Sequence, residues 1–560
     1  MPKKNDIVRL EITDITPEGA GVGRTDGYVL FVFGTAPGDI IDALVMKVGK
    51  SFGYAKVVNI ITPSPYRTDG DCPVFGRCGG CVFRHIKYEK ELEIKKNTVN
   101  ENLKRLGGLD IECEKIIPSP QENGYRNKAQ YPAAIIDGKM RFGFYSRHSH
   151  RVAPCEKCPL QPDFYADIVI TVEKFCDENG ITAYDEETGK GLLRHLYIRD
   201  GRKSGEVLVC LVATGEIPNV GRLIKMLTGQ SENIKSIVLN INKKDTNVIL
   251  SSECRTLWGK DTISDILCGL EFEISPRSFY QVNHDGAEKL YGMAAEFAEP
   301  EEKTVLDLYC GTGTIGLSMA QRAKRIIGAE IIPEAVENAK NNAKRNGINN
   351  AEFICADAGE AAEKLAESGL LPDVIIVDPP RAGCSEQTIS AIAKMAPERV
   401  VMVSCDSATA ARDCKRLSEL GYRAEKAVAV DMFARTGHVE AVIKLTRAFH
   451  KMKLAPSPFE MIKSGAKTIE LRLYDEKRRA VKVGDTIEFT NTESGEKLSA
   501  RVRQISVFDS FAELYSHLPL EKCGYKEEEL ATASPCDMER YYSADEQKNS
   551  GVCGIEIELI

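Results

Sequence analysis

The chain has 560 residues, of which 43% are hydrophobic and 28% are charged, a composition typical of globular proteins with roughly three or four domains. No apolar run approaches the roughly 20 residues that span a bilayer, and the amino terminus lacks the apolar core of a secretory signal, so a cytoplasmic protein is expected. The 18 cysteines then argue against a disulfide framework, because a reducing compartment leaves thiols free, metal-bound or catalytic.

The formal net charge of -8 disfavours nucleic acid as a partner, but the charge is unevenly distributed. Residues 61–158 hold 17 basic and 12 acidic residues. Because local charge determines where phosphates bind, this segment is expected to present a phosphate-binding face. A solvated surface with chance clustering is the alternative.

Residues 6–60 alternate apolar and polar side chains in short runs such as IVRLEITDI and YVLFVFG, separated by the turn sequences PEGAGVG and APGD. Four or five strands in about 60 residues predict a small barrel. The sequence GAGVGR followed by VFGTAPGD resembles the TRAM domain, an OB-like barrel found in RNA-modifying enzymes. The resemblance implies RNA binding by residues 1–62, although a small barrel could equally bind protein.

The segment 63–270 begins with cysteines in C-x5-C-x2-C spacing, followed much later by PCEKCPLQ. Four thiolates at such positions suit a zinc ion or an iron–sulfur cluster. Apolar spacing near 3.6 predicts a helix over 88–106, and strands are expected at LLRHLYIRD, GEVLVCLVAT and IKSIVLNIN. The run RFGFYSRHSHR at 141–151 interleaves aromatic and basic residues, which could stack on unpaired bases, or could be an ordinary turn with a solvated flank.

From about 271 to 446 the chain alternates β and α units, which predicts a Rossmann-like, doubly wound parallel sheet. The turn in VLDLYCGTGTIGL lets a backbone approach a ligand, and Glu330, Asp357 and Asp378 follow at the ends of successive strands. Such a row of acids suits a nucleoside with a positive sulfonium and is a poor site for pyrophosphate. The pattern resembles that of the S-adenosylmethionine-dependent methyltransferases. Helix capping is the alternative role for these acids.

Cys405 follows the apolar run VVMVS, and Glu440 precedes the last strand of this segment. A buried cysteine is commonly a core residue. However, a thiolate beside a methyl donor can add to C6 of uracil and so make C5 nucleophilic, after which a base must remove the C5 proton. In this interpretation Cys405 is the nucleophile and Glu440 is the base.

The sequences SFYQVN, DLYCGTGTIGL, DPPRAG, SCDSATAARD and DMFARTGHVE together resemble the bacterial RNA uracil-5-methyltransferases, especially the branch that acts on 23S ribosomal RNA. This resemblance implies methylation of uridine C5 in 23S rRNA through a covalent adduct on Cys405. It also implies a monomer without membrane contact and, as the residues that bind S-adenosylmethionine, Gln281, Tyr309, Glu330 and Asp378, with Asp357 close by.

The same resemblance implies a [4Fe-4S] cluster on Cys72, Cys78, Cys81 and Cys158, with Cys155 as a substitute for the fourth ligand and zinc as the alternative metal. Two other functions stay open. One is the transfer RNA branch of the same chemistry, and the other is a non-catalytic RNA-binding iron–sulfur protein.

Residues 450–560 contain Gly465, Lys467, Glu470 and Arg472 in G-x-K-x-x-E-x-R order, which resembles the ASCH domain, a PUA-like barrel linked with RNA. It would add RNA binding or carry its own activity, since some small ASCH proteins are amidohydrolases; accessory binding is favoured. The predicted architecture is therefore multidomain α/β: an OB-like barrel (1–62), an iron–sulfur-bearing α+β central domain (63–270), a Rossmann-like methyltransferase domain (271–446) and a PUA-like barrel (450–560).

Overall fold

The computed structural model describes all 560 residues. Its amino-terminal part is a closed barrel in which the strands follow the order β1-β2-β3-β5-β4, as the alternating pattern predicts. Inward-facing residues such as Leu10, Leu30 and Ile41 are fully buried, and the residues between them face outward. The barrel strands are β1 (Ile7–Ile15), β2 (Ala20–Thr25), β3 (Tyr28–Phe33), β4 (Ile40–Val48) and β5 (Phe52–Thr62).

The central part is built on a seven-stranded sheet with the order β13-β12-β11-β10-β7-β8-β9. One face of this sheet packs on α2 and α3, while the other contributes Leu208 and Val212 to a large core that also contains Val401 of the third domain. The elements of this part are α1 (Tyr88–Arg105), β6 (Cys113–Ile117), β7 (Lys128–Ile136), β8 (Lys139–Tyr145), β9 (Val152–Pro154), α2 (Phe164–Asn179), β10 (Leu193–Asp200), β11 (Val207–Ala213), α3 (Val220–Gln230), β12 (Ile234–Ile241) and β13 (Cys254–Gly259).

The third domain is centred on an eight-stranded sheet of order β18-β17-β16-β19-β20-β22-β21-β6. Its elements, after the hairpin β14 (Ile263–Leu267) and β15 (Leu270–Ile274), are α4 (His284–Ala298), β16 (Thr304–Leu308), α5 (Thr314–Met319), β17 (Arg325–Glu330), α6 (Pro333–Arg345), β18 (Ala351–Cys355), α7 (Ala358–Glu367), β19 (Val374–Val377), α8 (Glu386–Met395), β20 (Arg399–Ser404), α9 (Ser407–Glu419), β21 (Tyr422–Val430) and β22 (Glu440–Arg447).

Two features of this sheet differ from the sequence-based prediction. The sheet is mixed rather than parallel, because β22 runs antiparallel to both β20 and β21; the loop 431–439 is too short for the helical crossover that a parallel connection needs. In addition, β6 pairs in parallel with β21 and α1 packs on α9. The chain before residue 118 therefore contributes a strand and a helix to a domain predicted to begin at 271.

The carboxy-terminal part has a five-stranded sheet of order β23-β25-β26-β27-β24. The sheet is open, which differs from the predicted barrel: its outer strands meet through the Arg472 guanidinium, which donates to the Lys453 carbonyl at 2.8 Å. Two short 3-10 turns lie at Leu520–Cys523 and Pro535–Met538. The other elements are β23 (Phe449–Leu454), α10 (Pro456–Lys463), β24 (Ile469–Leu473), α11 (Glu476–Arg479), β25 (Thr486–Asn491), β26 (Lys497–Phe508), α12 (Phe511–His517), α13 (Ala544–Ser550) and β27 (Val552–Leu559).

One residue, Ala448, separates β22 of the third domain from β23 of the carboxy-terminal domain. Its amide donates to the Gly421 carbonyl at 3.1 Å, and its carbonyl accepts from the Thr486 amide at 2.9 Å. The junction is therefore hydrogen-bonded to both domains. Across the whole chain, no helix combines the length and the apolar character that crossing a membrane requires.

Candidate active site

Cys405 lies between the last residue of β20 and the first turn of α9. The next residue, Asp406, is the N-cap of α9, and its carboxylate accepts from the amides of Ala408 at 3.0 Å and Thr409 at 3.1 Å. The thiol is thus held at the amino end of a helix, where the helix dipole favours a negative charge. It is half-buried rather than part of the core.

Glu440 lies opposite Cys405 across the ends of two antiparallel strands. The Ser404–Ala441 pair is the last in the ladder between β20 and β22, so the next residues outward are Cys405 and Glu440. Burial raises the pKa of Glu440 to about 8, with a smaller contribution from Asp378. Burial, followed by the charge of Glu440, also raises the pKa of the Cys405 thiol. The structure therefore brings the predicted nucleophile and the predicted base together.

Arg381 is a site residue that sequence reasoning missed. Its charge and a hydrogen bond to the Cys405 thiol lower the pKa of that thiol against the effect of burial, and its guanidinium lies 3.1 Å from His438 Nε2. It comes three residues after Asp378 in the DPPR sequence, so a cation next to a strand-end acid was the available signal. Arg381 supplies a positive charge to a thiol that has two carboxyl groups nearby.

A buried ion cluster holds the loop that leads to Glu440. Lys95 of α1 donates to Glu91 and to Asp431, both at 2.7 Å, and to the Phe433 carbonyl at 3.1 Å. The Tyr88 hydroxyl donates to the second oxygen of Asp431 at 2.7 Å. Because breaking a buried pair leaves an uncompensated charge, this cluster fixes α1 against the loop.

The predicted cofactor residues lie at the carboxyl ends of neighbouring strands. Glu330 is the last residue of β17, and its carboxylate accepts from the Gly311 amide at 3.0 Å. Tyr309 directly follows β16 with a φ of 66°, and its hydroxyl lies 3.2 Å from Thr388 Oγ1. Asp378 directly follows β19, and burial raises its pKa to about 7. These groups converge on the edge of the sheet where α/β folds bind ligands.

Two of the predicted cofactor residues, Asp357 and Gln281, form hydrogen bonds within the protein itself. Asp357 lies two residues beyond β18 and caps α7 by accepting from the Gly359 amide at 2.9 Å, so this residue has the helix-cap role, and its place beside the cofactor stays a prediction. Gln281 is buried and its side chain lies beside the Tyr291 hydroxyl.

Ile331, directly after Glu330, has a side chain that is 61% exposed. An exposed apolar side chain next to a carboxylate suits the flat face of a purine.

A cavity of about 830 Å³ opens onto Cys405. It is formed by three domains, because the barrel and the cysteine loop cover the carboxyl ends of the third-domain strands. This volume is large enough to admit a nucleotide. The lining residues used below are Phe33, Tyr54, Gly80, Arg147, Arg381 and His438.

A second cavity, of about 250 Å³, contains five of the cysteines. The loop with Cys72 and Cys78 is held against the turn after β8 by the bridge between Cys78 and Ser146 and by the Gly79 amide, which donates to the Tyr145 carbonyl at 3.1 Å. Gly80 lines both this cavity and the one at Cys405. The five thiols belong to Cys72, Cys78, Cys81, Cys155 and Cys158.

The run RFGFYSRHSHR is only in part exposed. Phe142 is fully buried in the central core. The neighbouring Arg141 forms an ion pair with Glu173 of α2 at 3.3 Å. Phe144 lines the cysteine cavity. Arg147 lines the cavity at Cys405, so RNA binding by the turn stays a prediction, whereas the buried Phe142 is not available to stack on a base.

The carboxy-terminal domain has a cavity of about 510 Å³ beside its open sheet edge. Glu470 lies buried in its wall between Lys467 at 2.9 Å and Arg472 at 2.8 Å. The lysine, glutamate and arginine of the G-x-K-x-x-E-x-R motif thus form one ion cluster. Tyr541 and Tyr542 line the same cavity.

Comparisons with known proteins agree with this organisation. Residues 3–58 match the TRAM domain, residues 230–448 match the tRNA (Uracil-5-)-methyltransferase family and residues 452–560 match the ASCH domain. An RNA methyltransferase of Clostridium acetobutylicum, described as uncharacterized, is 44% identical over 80% of this chain and 98% of its own length. A relative of the same description from Halalkalibacterium halodurans is 42% identical over 79% of this chain and 97% of its own length.

Among solved structures, the Pyrococcus abyssi tRNA (uracil-54, C5)-methyltransferase in complex with S-adenosyl-L-homocysteine superposes with a TM-score of 0.64. It is 28% identical, and the match covers 78% of this chain and 100% of that protein. This structural match covers most of the chain, and the two relatives match it over nearly their whole length. The chain belongs to the RNA uracil-5-methyltransferase family and is an S-adenosylmethionine-dependent enzyme with an added ASCH domain.

Proposed function

We propose that this enzyme methylates C5 of a uridine in 23S ribosomal RNA through a covalent bond between Cys405 and C6 of the uracil. One observation carries the chemistry. Cys405 and Glu440 are neighbours across the ends of β20 and β22, and Cys405 lines a cavity large enough for a nucleotide. A target base inside an RNA helix must leave its stack to reach this position.

The reaction begins when the Cys405 thiolate adds to C6 and the electrons of the 5,6 double bond move onto O4 as an enolate. S-adenosylmethionine, when bound, supplies the methyl group that C5 of this enolate accepts. Glu440 then removes the proton from C5, which forms the enolate again, and the electrons of this enolate re-form the 5,6 double bond as the Cys405 sulfur leaves as thiolate. The uracil gains one methyl group and loses one proton to Glu440, the methyl donor leaves as S-adenosylhomocysteine, and the enzyme thiolate is regenerated.

The surroundings of the two groups support these roles. Arg381 and the amino end of α9 stabilise the Cys405 thiolate, which burial alone would disfavour. Burial makes Glu440 a stronger base than an exposed carboxylate, because its pKa lies at about 8, and a base is most effective when its pKa is near the working pH.

The cofactor is proposed to lie along the strand ends. Glu330 suits a ribose diol, Ile331 offers an apolar face for the adenine, and Asp378 supplies a carboxyl group for a positive sulfonium. Tyr309 and Gln281 complete the walls, with Asp357 close by as the cap of α7. These residue types fit a cationic nucleoside, because they present carboxylates, which accept hydrogen bonds and balance a positive charge, together with aromatic or apolar faces.

The five-thiol cavity is proposed to hold a [4Fe-4S] cluster on Cys72, Cys78, Cys81 and Cys158. The cavity of about 250 Å³ is larger than a single zinc ion with sulfur ligands at roughly 2.3 Å needs. Arg84, Arg126 and Lys128 also line it, and three cations suit the net negative charge of a cluster with four thiolate ligands. Cys155, which hydrogen-bonds to Cys158, is the fifth thiol and the substitute ligand, and zinc is the alternative metal.

The RNA target is the part of the proposal that needs a direct experiment. Purified enzyme is incubated with methyl-labelled S-adenosylmethionine and with unmodified 23S rRNA or unmodified total tRNA, and the label is mapped to nucleotides. Label at uracil C5 of 23S rRNA is expected. Label in tRNA alone would move the enzyme to the tRNA branch, which the descriptions of the matching family and of the Pyrococcus abyssi structure favour; no label in either RNA would support a non-catalytic protein.

The ASCH domain is proposed as an accessory RNA-binding unit, because its cavity combines Lys467, Arg472 and Arg540 with tyrosine rings. Replacing the exposed pair Arg540 and Tyr541 with Ala should weaken binding of long RNA and leave transfer to a short oligonucleotide unchanged. An equal loss on both RNAs would contradict the accessory role. The cytoplasmic location and the monomeric state stay predictions from the sequence.

A further inference from the structure

The outer face of the barrel carries an aromatic patch that continues from the cavity at Cys405. Strand pairing places Phe31 beside Tyr54, and the ring centres of Phe31, Phe52 and Tyr54 lie 5.5 to 5.9 Å apart. Phe33, two residues along β3, faces the same side. We call Phe31, Phe33, Phe52 and Tyr54 the aromatic patch.

Three of these four rings are unusually accessible for aromatic side chains, and Phe31 between them is half-buried. Phe33 is 44% exposed, Phe52 is 43% exposed and Tyr54 is 40% exposed. Alternation along β3 and β5 explains the exposure, because Leu30, Val32 and Ala55 between them point into the barrel core. Burying such rings would be favourable, so an exposed cluster of this kind points to a partner.

The position of the patch identifies that partner. Phe33 and Tyr54 line the cavity at Cys405, and Arg147 of the central domain lies over the Phe33 ring at 4.7 Å. The patch therefore begins where the target nucleotide must sit and leads away from it over the barrel. An RNA strand that enters the cavity continues directly onto these rings.

The surrounding charge fits the same occupant. The cations Arg24, Lys50 and Lys56 are exposed around the patch, and none of them takes part in an ion pair. Val29 of β3 pairs with Arg24 of β2 on one side and with Phe52 of β5 on the other. Arg24 and Phe52 therefore lie level with each other on the sheet. Aromatic rings bordered by free cations are the arrangement that binds single-stranded nucleic acid, since bases stack on the rings and phosphates contact the cations.

We propose that unpaired nucleotides next to the target uridine stack on the aromatic patch. The inference rests on the proposed function in that the RNA is the substrate of the Cys405 site. It adds a substrate requirement: one flank of the target must be single-stranded, because bases paired within a helix do not expose their faces. A duplex lying on the same surface would contact the cations alone.

The test measures RNA affinity of the full-length protein by fluorescence anisotropy, so that it is independent of methyl transfer. The probe is an rRNA fragment with single-stranded flanks, used free and with each flank annealed in turn to a complementary oligonucleotide. Phe52→Ala and Tyr54→Ala should each raise Kd for the free probe by about tenfold. Annealing the stacking flank should weaken wild-type binding and remove the difference between wild type and variants.

Two substitutions separate stacking from simple apolar contact. Phe52→Trp keeps a ring and should retain affinity, whereas Phe52→Leu keeps apolar area without a π face and should lose affinity as Phe52→Ala does. Phe164→Ala, which removes a 39% exposed ring on α2, is the matched control and should bind as wild type.

Equal affinities for Phe52→Leu and Phe52→Trp would overturn the proposal, as would equal losses on free and annealed probes. If the wild type binds with this pattern but transfers no methyl group to uracil, the proposed function fails and the binding site stands. If it transfers methyl groups while the patch variants bind normally, only the binding site fails.

Discussion

Two regions of this molecule depend on thiols, and they are constructed in opposite ways. Cys405 is placed by regular structure: a strand ends before it, a helix begins after it, and its neighbour Glu440 is set by strand register. The five thiols of the second cavity come from loops at 72–81 and 155–158, joined by a few backbone hydrogen bonds. A nucleophile needs a fixed direction of attack, whereas metal ligands are ordered by the metal they bind.

Because of this difference, we expect the loss of a thiol to have a different effect in each region. Loss at Cys405 should affect chemistry without affecting the fold. Loss in the five-thiol cavity should affect metal content, and through Gly80, which lines both cavities, the shape of the RNA site.

Cys405→Ala should reduce methyl transfer to 23S rRNA below detection, because no other thiol can add to uracil C6 at this cavity. The measurement is transfer of label from S-adenosylmethionine, with iron content and melting temperature recorded alongside. Both of these should match the wild type. Cys536→Ser, which changes an exposed cysteine of the carboxy-terminal domain, is the control and should be fully active; activity in Cys405→Ala would mean that the thiol is structural.

Glu440→Gln should stop the reaction after methyl transfer, because the C5 proton then has no base and the thiolate cannot leave. The expected product is a protein–RNA adduct that survives a denaturing gel and carries one labelled methyl group. Gln keeps the size of the side chain, so the site should stay intact. Normal turnover by this variant would assign the proton removal to another group.

Cys158→Ser should lower the iron content and remove the visible absorption of an iron–sulfur cluster in anaerobically purified protein. Cys155→Ser should keep both, because this thiol is proposed only as a hydrogen-bonding neighbour of Cys158. The reverse outcome would make Cys155 the fourth ligand. Stoichiometric zinc without iron in the wild type would replace the cluster with the alternative metal.

The rate at which free methylated RNA is released should rise with pH and level off above about 8. Glu440 acts as a base only when it is ionised, and its pKa of about 8 means that the ionised fraction falls about tenfold per pH unit below that value. The raised pKa of the Cys405 thiol acts in the same direction. Single-turnover rates between pH 6 and 9 on a short RNA measure this, and a flat profile would contradict the base role.

The sequence predicts much of this molecule wherever a local pattern determines the outcome. Alternation in residues 6–60 leads to the barrel, and the apolar run before Cys405 followed by Asp406 leads to a strand end and a helix start. Strand-end position also locates Glu330 and Asp378 correctly, since parallel strands bring their carboxyl ends together.

What the sequence does not show is decided by long-range contacts. β6 pairs with β21, which lies more than 300 residues later in the chain, and β22 reverses direction because its loop is short. The outer strands of the carboxy-terminal sheet are joined by a side chain rather than by a ladder of backbone hydrogen bonds. Arg381 was missed for the same reason, since only the fold brings its side chain to Cys405. Local propensity carries no information about such partners.

The single residue between the last strand of the methyltransferase domain and the first strand of the ASCH domain has a mechanical consequence. Ala448 is hydrogen-bonded on both sides, so the two domains have no linker about which to swivel. An RNA segment bound by the ASCH domain would therefore be held at a fixed distance and angle from Cys405. Under the proposed function, the ASCH domain would select a target uridine by its distance from a second structural feature of the same RNA.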